Sequence, residues 1–222
     1  RRETAMVIFM VLFPLACQVI GHGPAFTGMR HFLFVVPLLA VLAAIALNAV
    51  IGSFGRKHLA FAMAAFALVL ADVGMNVRQL YELHPYEYLY YNRLVGGIHG
   101  AARRYVMDYW VEVMPASVAQ LGRFLDRTEG HHKPVPAIYS VGVCGERKSF
   151  ERELKVQGLS HRLRWTADWP HADFFIAPTH GNCDEVLKGQ SVAAIMREDT
   201  LIGVVKDRRR ITRPAIVDAT PP

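Results

Sequence analysis

Asp108 is the first residue to consider for acid–base chemistry in this sequence, because it is an acid that stands directly before Tyr109 and Trp110. The sequence contains no nucleophile elbow, phosphate-binding loop or zinc-protease motif, and it offers Asp108 no identifiable acid–base partner. The alternative is a structural role, in which the Asp108 carboxylate caps the backbone or pairs with Arg103 or Arg104. The sequence leaves both interpretations open.

Two of the three cysteines could also form a site. Cys144 and Cys183 each follow a predicted strand, whereas Cys17 lies in an apolar segment. A disulfide between Cys144 and Cys183 is favoured in an oxidising compartment, and two free thiols are the next alternative. A metal site would combine the two cysteines with His180 and His171, but these residues lack paired Cys-x-x-Cys spacing. We therefore assign no metal ligands.

The charge distribution divides the chain. Residues 1–76 contain five Lys/Arg and two Asp/Glu, whereas residues 77–222 contain twenty and seventeen. This shift predicts a domain boundary near residue 76. The net charge of +6 does not indicate nucleic-acid binding, because basic and acidic residues alternate and no recognised binding motif occurs.

Three apolar segments precede that boundary, at about residues 4–21, 31–51 and 57–74. Each is long enough, at 1.5 Å per residue, to cross a hydrocarbon core of about 30 Å. The third contains Asp72, which we place in its last turn, where headgroups and water can solvate it. We predict three transmembrane helices, since a soluble protein of this length could not cover three such helices, and Pro14 and the segments that follow argue against a signal peptide.

Loop charges predict the orientation of these helices. Arg1 and Arg2 precede the first, and Arg56 and Lys57 lie between the second and the third. Because cytoplasmic loops are enriched in Lys and Arg, these ends should be cytoplasmic. The lipid bilayer is then one partner of the chain, and everything after residue 76 should lie on the outer side.

Residues 77–114 form a segment rich in aromatic residues, with seven tyrosines and one tryptophan in the thirty positions 81–110. Aromatic rings with a polar edge are enriched where a membrane meets water, so this segment is predicted to lie along the membrane surface. Two alternatives remain: its tyrosines could pack under the soluble domain, or they could stack on carbohydrate.

Residues 115–222 have the pattern of a small extracytoplasmic α/β domain with a mixed sheet. The sequence predicts a helix over 116–128, a strand over 135–143, a helix near 150–156 and a strand over 172–177. The segments 191–198 and 200–207 predict a hairpin that turns at Glu198 and Asp199.

Three runs, RHFLFVVPLLAVLAA, HPYEYLYYNRLVGG and MDYW, occur in that order. Together they resemble the C-terminal part of bacterial membrane glycosyltransferases of family 39, which use polyprenyl-phosphate-linked sugars. The resemblance implies a protein of the bacterial inner (cytoplasmic) membrane with a periplasmic C-terminal domain. It implies candidate lipid-phosphate or substrate-binding residues at five positions: Arg30, His31, Tyr86, Tyr88 and Asp108.

Arg30 is predicted to lie at the outer end of the second apolar segment, where a guanidinium could bind phosphate oxygens or simply reach lipid headgroups. In the family, the acidic residue that acts as base or metal ligand is on the first extracytoplasmic loop, for which this sequence has no counterpart. We therefore assign no catalytic residue or cofactor, although a full-length enzyme could use a divalent metal. The start at Arg1, without a methionine, indicates part of a longer protein.

Two functions follow as hypotheses. The chain could be the membrane and periplasmic portion of a polyprenyl-phosphate-dependent glycosyltransferase, inactive by itself because another part supplies the catalytic acid. It could instead be a non-catalytic accessory subunit that binds other subunits of a membrane complex.

Overall fold

A computed structural model describes residues 2–22, 32–55, 59–129 and 138–213 of the chain. The chain divides into two compact units, Arg1–Arg78 and Gln79–Pro222. Most of the aromatic segment 77–114 therefore belongs to the same unit as the residues that follow it.

The first unit contains two long apolar helices and most of a third: α1 is Arg2–Ile20, α2 is Val35–Gly55, and α3 is Leu59–Leu83, whose last residues belong to the second unit. All three are long and apolar enough to cross a membrane. Their surfaces expose large apolar side chains, such as Phe9 and Leu68, which are 60% and 72% exposed. Such surfaces suit a lipid environment, as the sequence predicts.

Helix α3 is longer than the predicted segment 57–74. It continues to Leu83 because no proline or terminating glycine interrupts it before Pro85, whose ring disfavours helical backbone at the preceding residue. Asp72 therefore does not lie in the last turn of the helix, and that prediction was wrong. Its carboxylate and its backbone carbonyl both accept hydrogen bonds from the Asn76 side chain, at 3.1 and 2.9 Å.

The second unit contains a mixed sheet of five strands: β1 Tyr139–Val143, β2 Leu163–Trp165, β3 Phe174–Pro178, β4 Gln190–Arg197 and β5 Thr200–Asp207. Their order across the sheet is β2-β1-β3-β5-β4. β1 pairs parallel with both β2 and β3, whereas β5 pairs antiparallel with both β3 and β4. The predicted mixed sheet is confirmed.

Helices α5 (Met114–Glu129) and α6 (Arg147–Val156) form the main core with the sheet. Apolar residues recur every three or four positions along α5, which gives that helix one buried face. Val118, Leu121 and Leu125 on that face are fully buried. The short helices α4 (Gly97–Ala101), α7 (Cys183–Val186) and α8 (Arg209–Thr212) complete the α-helices of the described residues, and three 3₁₀ turns lie at Glu87–Leu89, Trp169–His171 and His180–Asn182.

The predicted hairpin is also confirmed. β4 and β5 pair in antiparallel register, with Arg197 opposite Thr200. Glu198 and Asp199 between them have φ of +44° and +57°. Positive φ at both central residues is the geometry of a type I′ turn, whose twist matches that of the two strands.

Strand β2 has no counterpart in the sequence prediction. It has only three residues, of which Leu163 alone is buried, so its pattern is too short to recognise. The predicted strand 135–143 is observed from Tyr139, and residues 135–137 lie outside the described residues.

Candidate functional site

The structure brings together three of the five candidate binding residues. Tyr86, Tyr88 and Asp108 lie in the second unit, close to the end of α3. Arg30 and His31 lie outside the described residues, so their roles stay predictions. We call Tyr86, Tyr88, Asp108 and Arg197, which contacts Tyr86, the aromatic–acid cluster.

Asp108 is at the centre of this cluster and is fully buried. Its Oδ1 accepts hydrogen bonds from the Tyr88 hydroxyl at 2.6 Å and from the backbone N–H of Glu112 at 2.7 Å. Its Oδ2 accepts the N–H of Val113 at 3.0 Å. The carboxylate thus ties the chain that leads into α5 to the segment that follows α3.

This geometry gives Asp108 the capping role that the sequence left as an alternative. The predicted pairing with Arg103 does not occur, because that guanidinium binds Asp184 instead. A buried carboxylate that already accepts three hydrogen bonds is poorly placed to accept a proton from a substrate. Asp108 therefore positions the backbone.

Tyr88 supports the same cap. Although Tyr88 as a whole is 47% exposed, partial burial of its phenol and the hydrogen bond to Asp108 raise the pKa of the phenol above its ordinary value. Both effects favour the neutral phenol, since ionisation would place a second negative charge beside the carboxylate. Tyr88 thus remains a hydrogen-bond donor at physiological pH.

Tyr86 packs inside the domain. Its ring is 3% exposed and belongs to a core cluster with Leu83 and Leu89. The Arg197 guanidinium, at the end of β4, lies 4.6 Å from the ring centroid on its face. Burial raises the pKa of Tyr86, and the charge of Arg197 partly opposes that rise.

The burial of Tyr86 fits the alternative in which tyrosines of this segment pack under the soluble domain. Other rings in the segment are open to solvent: Tyr105 is 55% and Trp110 is 70% exposed. Arg197 was missed by sequence reasoning, because it is more than a hundred residues away from Tyr86 and no local pattern joins them.

The second predicted site is confirmed as a disulfide between Cys144 and Cys183, with Cα atoms 6.4 Å apart. Cys144 follows β1 and Cys183 begins α7 after β3, so adjacent strands bring the two sulfurs together. Both sulfurs are bonded, which removes the free-thiol alternative and the metal site that used the two thiols.

An ion-pair group adjoins this disulfide. Both Nη atoms of Arg103 bind the Asp184 carboxylate, at 3.0 and 2.6 Å, and Nη1 also lies 3.1 Å from Glu185. The hydrogen bond to Asp184 raises the pKa of Arg103. The two-point contact fixes the loop before Asp108 against α7, a contact that the sequence pattern did not reveal.

Neither a metal site among the described residues nor a similarity to a known protein indicates the chemistry of this chain. Within the parts of the chain that the structure describes, no group of three or more His, Cys, Asp or Glu side chains is arranged to hold a metal ion. Comparisons with models of protein families, with curated proteins and with solved structures gave no match. The site is therefore interpreted from its geometry.

Proposed function

We propose that this chain is the membrane-anchored, periplasmic α/β portion of a glycosyltransferase-like protein that uses polyprenyl-phosphate sugars in the bacterial inner membrane. In this proposal the chain anchors and positions the domain. The acidic residue that catalyses transfer belongs to another part of the protein, and Arg30 binds the lipid phosphate.

One observation supports this division of roles. The two runs that resemble the glycosyltransferases, HPYEY and DYW, meet through the 2.6 Å hydrogen bond between Tyr88 and Asp108. Among the described residues, the donors to Asp108 are the Tyr88 hydroxyl and two backbone N–H groups. Both runs thus stabilise the start of the second unit, which suits a chain whose catalytic acid lies in another part of the protein.

The disulfide of the domain and the loop charges between the helices both suit a domain on the outer side of a membrane. The Cys144–Cys183 bond is stable in the oxidising periplasm, whereas thiols are kept reduced in the cytoplasm. The same orientation follows from the positive residues Arg56 and Lys57 between the second and third helices. Two independent features therefore favour the same side.

Sugar transfer tests the proposal. Full-length protein that includes the catalytic loop should transfer sugar from a polyprenyl-phosphate donor in membrane vesicles. Arg30→Ala should abolish most of that activity, because the phosphate loses its guanidinium partner. The matched control Arg56→Ala lies on the opposite side and should retain activity. Transfer from none of the polyprenyl-phosphate sugars tested would refute the proposal.

The second candidate is an accessory subunit of a larger membrane complex. It is favoured by the structural, non-catalytic role of the aromatic–acid cluster. Intact mass spectrometry of the mature protein separates the two functions. A mass near 24.9 kDa with a co-purifying membrane partner supports the subunit, and a much larger mass supports the enzyme.

A further inference from the structure

A small cavity lies between the loop before α5 and the outer side of α6. Its volume is about 170 Å³, and its lining includes Trp110, Val111, Glu112, Ser149, Arg152 and Glu153. Pockets for drug-sized ligands measure about 300–1,000 Å³, so this cavity suits a much smaller molecule. It is called the Trp110 cavity below.

The Trp110 side chain is held in an exposed position by the surrounding loop. Trp110 is 70% exposed, and its indole and the Tyr109 ring lie at 89° to each other with their centroids 5.1 Å apart. Tyr109 in turn contacts His180 at 5.4 Å. The Asp108 carboxylate fixes the backbone on the other side of Trp110 through Glu112 and Val113. The indole is therefore held by its neighbours, while most of its surface stays open to solvent.

Val111 shows that this loop is strained. Its φ is +59°, a conformation that β-branched residues rarely adopt. The valine fits because Gly145 lacks a side chain: a Cβ added at Gly145 would lie 3.1 Å from Val111 Cγ2. Strained backbone persists where surrounding structure enforces it, and it concentrates at ligand sites. Here it occurs at Val111, between Trp110 and Glu112, and all three residues line the cavity.

The polar groups of the cavity are available to a ligand. The Arg152 guanidinium and the Glu112 carboxylate form no hydrogen bond or ion pair with another described side chain. The Glu153 carboxylate accepts one hydrogen bond from a described side chain, that of the Gln157 amide at 3.2 Å, so it retains acceptor capacity. The cavity thus presents donors and acceptors of both charges beside one aromatic face.

We propose that the Trp110 cavity binds a single pyranose ring. A pyranose has a face of C–H bonds that can pack on the electron-rich face of an indole, and a rim of hydroxyls that both donate and accept hydrogen bonds. Arg152 donates to these hydroxyls, and Glu112 and Glu153 accept from them. The mixture of charges disfavours a phosphate, and the volume disfavours a peptide or a lipid chain.

This site uses other side chains than the aromatic–acid cluster, although Asp108 holds the backbone of Glu112, and it does not depend on the proposed glycosyltransferase function. A domain that binds one sugar residue can hold the end of a glycan. The result of the sugar-transfer assay therefore neither supports nor contradicts this site, which needs its own test.

Saturation-transfer-difference NMR tests the proposal on the full chain in lipid nanodiscs. The probes are the methyl glycosides of glucose, galactose, mannose and N-acetylglucosamine. At least one should show saturation strongest at the C–H protons of one ring face. No saturation transfer to any of the four would overturn the proposal.

Three variants locate the binding. Trp110→Ala and Arg152→Ala should each weaken binding by about tenfold or more, since each removes one side of the cavity. Lys148→Ala, an exposed neighbour on α6 outside the cavity, should bind like the unmodified chain. Unchanged binding in Trp110→Ala would place the sugar elsewhere and contradict the proposal.

A bilayer role for Trp110 is the competing outcome. If the indole inserts into lipid, brominated lipids in the nanodisc should quench a fluorescence component that Trp110→Phe lacks. That quenching, together with the absence of a sugar signal, would replace the sugar site by a membrane anchor. The proposed site predicts that this component is insensitive to brominated lipid and changes on sugar addition.

Discussion

At the scale of single residues, the aromatic–acid cluster depends on one carboxylate. Asp108 accepts hydrogen bonds from Tyr88, Glu112 and Val113, and it has no exposed surface. Removing this buried acceptor costs more than an average hydrogen bond gains, because the buried N–H of Val113 loses its partner without regaining water.

Asp108→Ala should therefore lower the free energy of unfolding by about 2–4 kcal/mol. Denaturant unfolding of the full chain in detergent, followed by tryptophan fluorescence, measures the change. The exposed pair of Asp168 with His171 provides the control, and Asp168→Ala should stay within about 0.5 kcal/mol of the unmodified chain. Equal effects of the two substitutions would contradict the central position of Asp108.

Tyr88 makes a prediction about pH. The pKa of Tyr88 is raised in the folded chain, whereas the phenol of the unfolded chain ionises near its ordinary pKa of 10.0. The folded state keeps its proton while the unfolded state loses it, so this contribution to stability is fully present below pH 10 and is lost as the pH rises above it. Tyr88→Phe should make the decline in unfolding free energy between pH 9 and 11 shallower. A decline of unchanged slope would contradict the raised pKa.

Only part of the cluster could be predicted from sequence. Asp108 stands out because aromatic residues follow it, and its capping role was one of two alternatives. Tyr88 is twenty residues from Asp108 in the sequence, and Arg197 is eighty-nine residues from it. Their places in the cluster therefore depend on tertiary packing, which local patterns do not encode. Val111 was missed because positive φ at a valine contradicts the preference of its type.

At the scale of elements, the hairpin was predicted well because alternating strands and a short polar turn are strong local signals. Helix α5 was predicted nearly to its ends by its apolar spacing. Strand β2 and the end of α3 were not predicted. β2 is too short to show an alternating pattern, and α3 continues beyond the apolar segment through polar residues that are good helix formers.

A glycine in the turn between β4 and β5 should make the domain more stable. Asp199 has φ of +57°, which glycine adopts without the cost that a Cβ imposes. Asp199→Gly should raise the free energy of unfolding by up to about 1 kcal/mol, since type I′ turns favour glycine at this position.

The control is Asp168→Gly, where φ is −82° and glycine only adds freedom to the unfolded chain. That substitution should leave stability unchanged or lower it. A loss of stability in Asp199→Gly, measured by the same denaturant unfolding, would show that the turn is not strained at Asp199.

At the scale of the whole molecule, the disulfide stabilises the second unit by restricting the unfolded chain. Cys144 and Cys183 are separated by 39 residues, and a loop of that length predicts a contribution of about 4 kcal/mol. Replacing both residues by serine should lower the unfolding free energy by about 2–4 kcal/mol. Cys17→Ser, which removes a free and exposed thiol, is the control and should change little.

The membrane helices and the domain were both evident in the sequence, because the contrast between apolar segments and a charged remainder is large. The position of the second unit outside the cytoplasm is the central claim of the proposed function. It rests on loop charges and on the disulfide, and it requires the domain to cross the membrane during synthesis.

Thiol labelling in intact cells tests this claim most directly. In a Cys17→Ser background, Lys148→Cys places a thiol on the exposed side of α6, and Arg56→Cys places one between the second and third helices. A membrane-impermeant maleimide, supplied to cells with a permeabilised outer membrane, should label position 148. Position 56 should react only after the inner membrane is lysed. Labelling of position 56 but not 148 in intact cells would contradict the account.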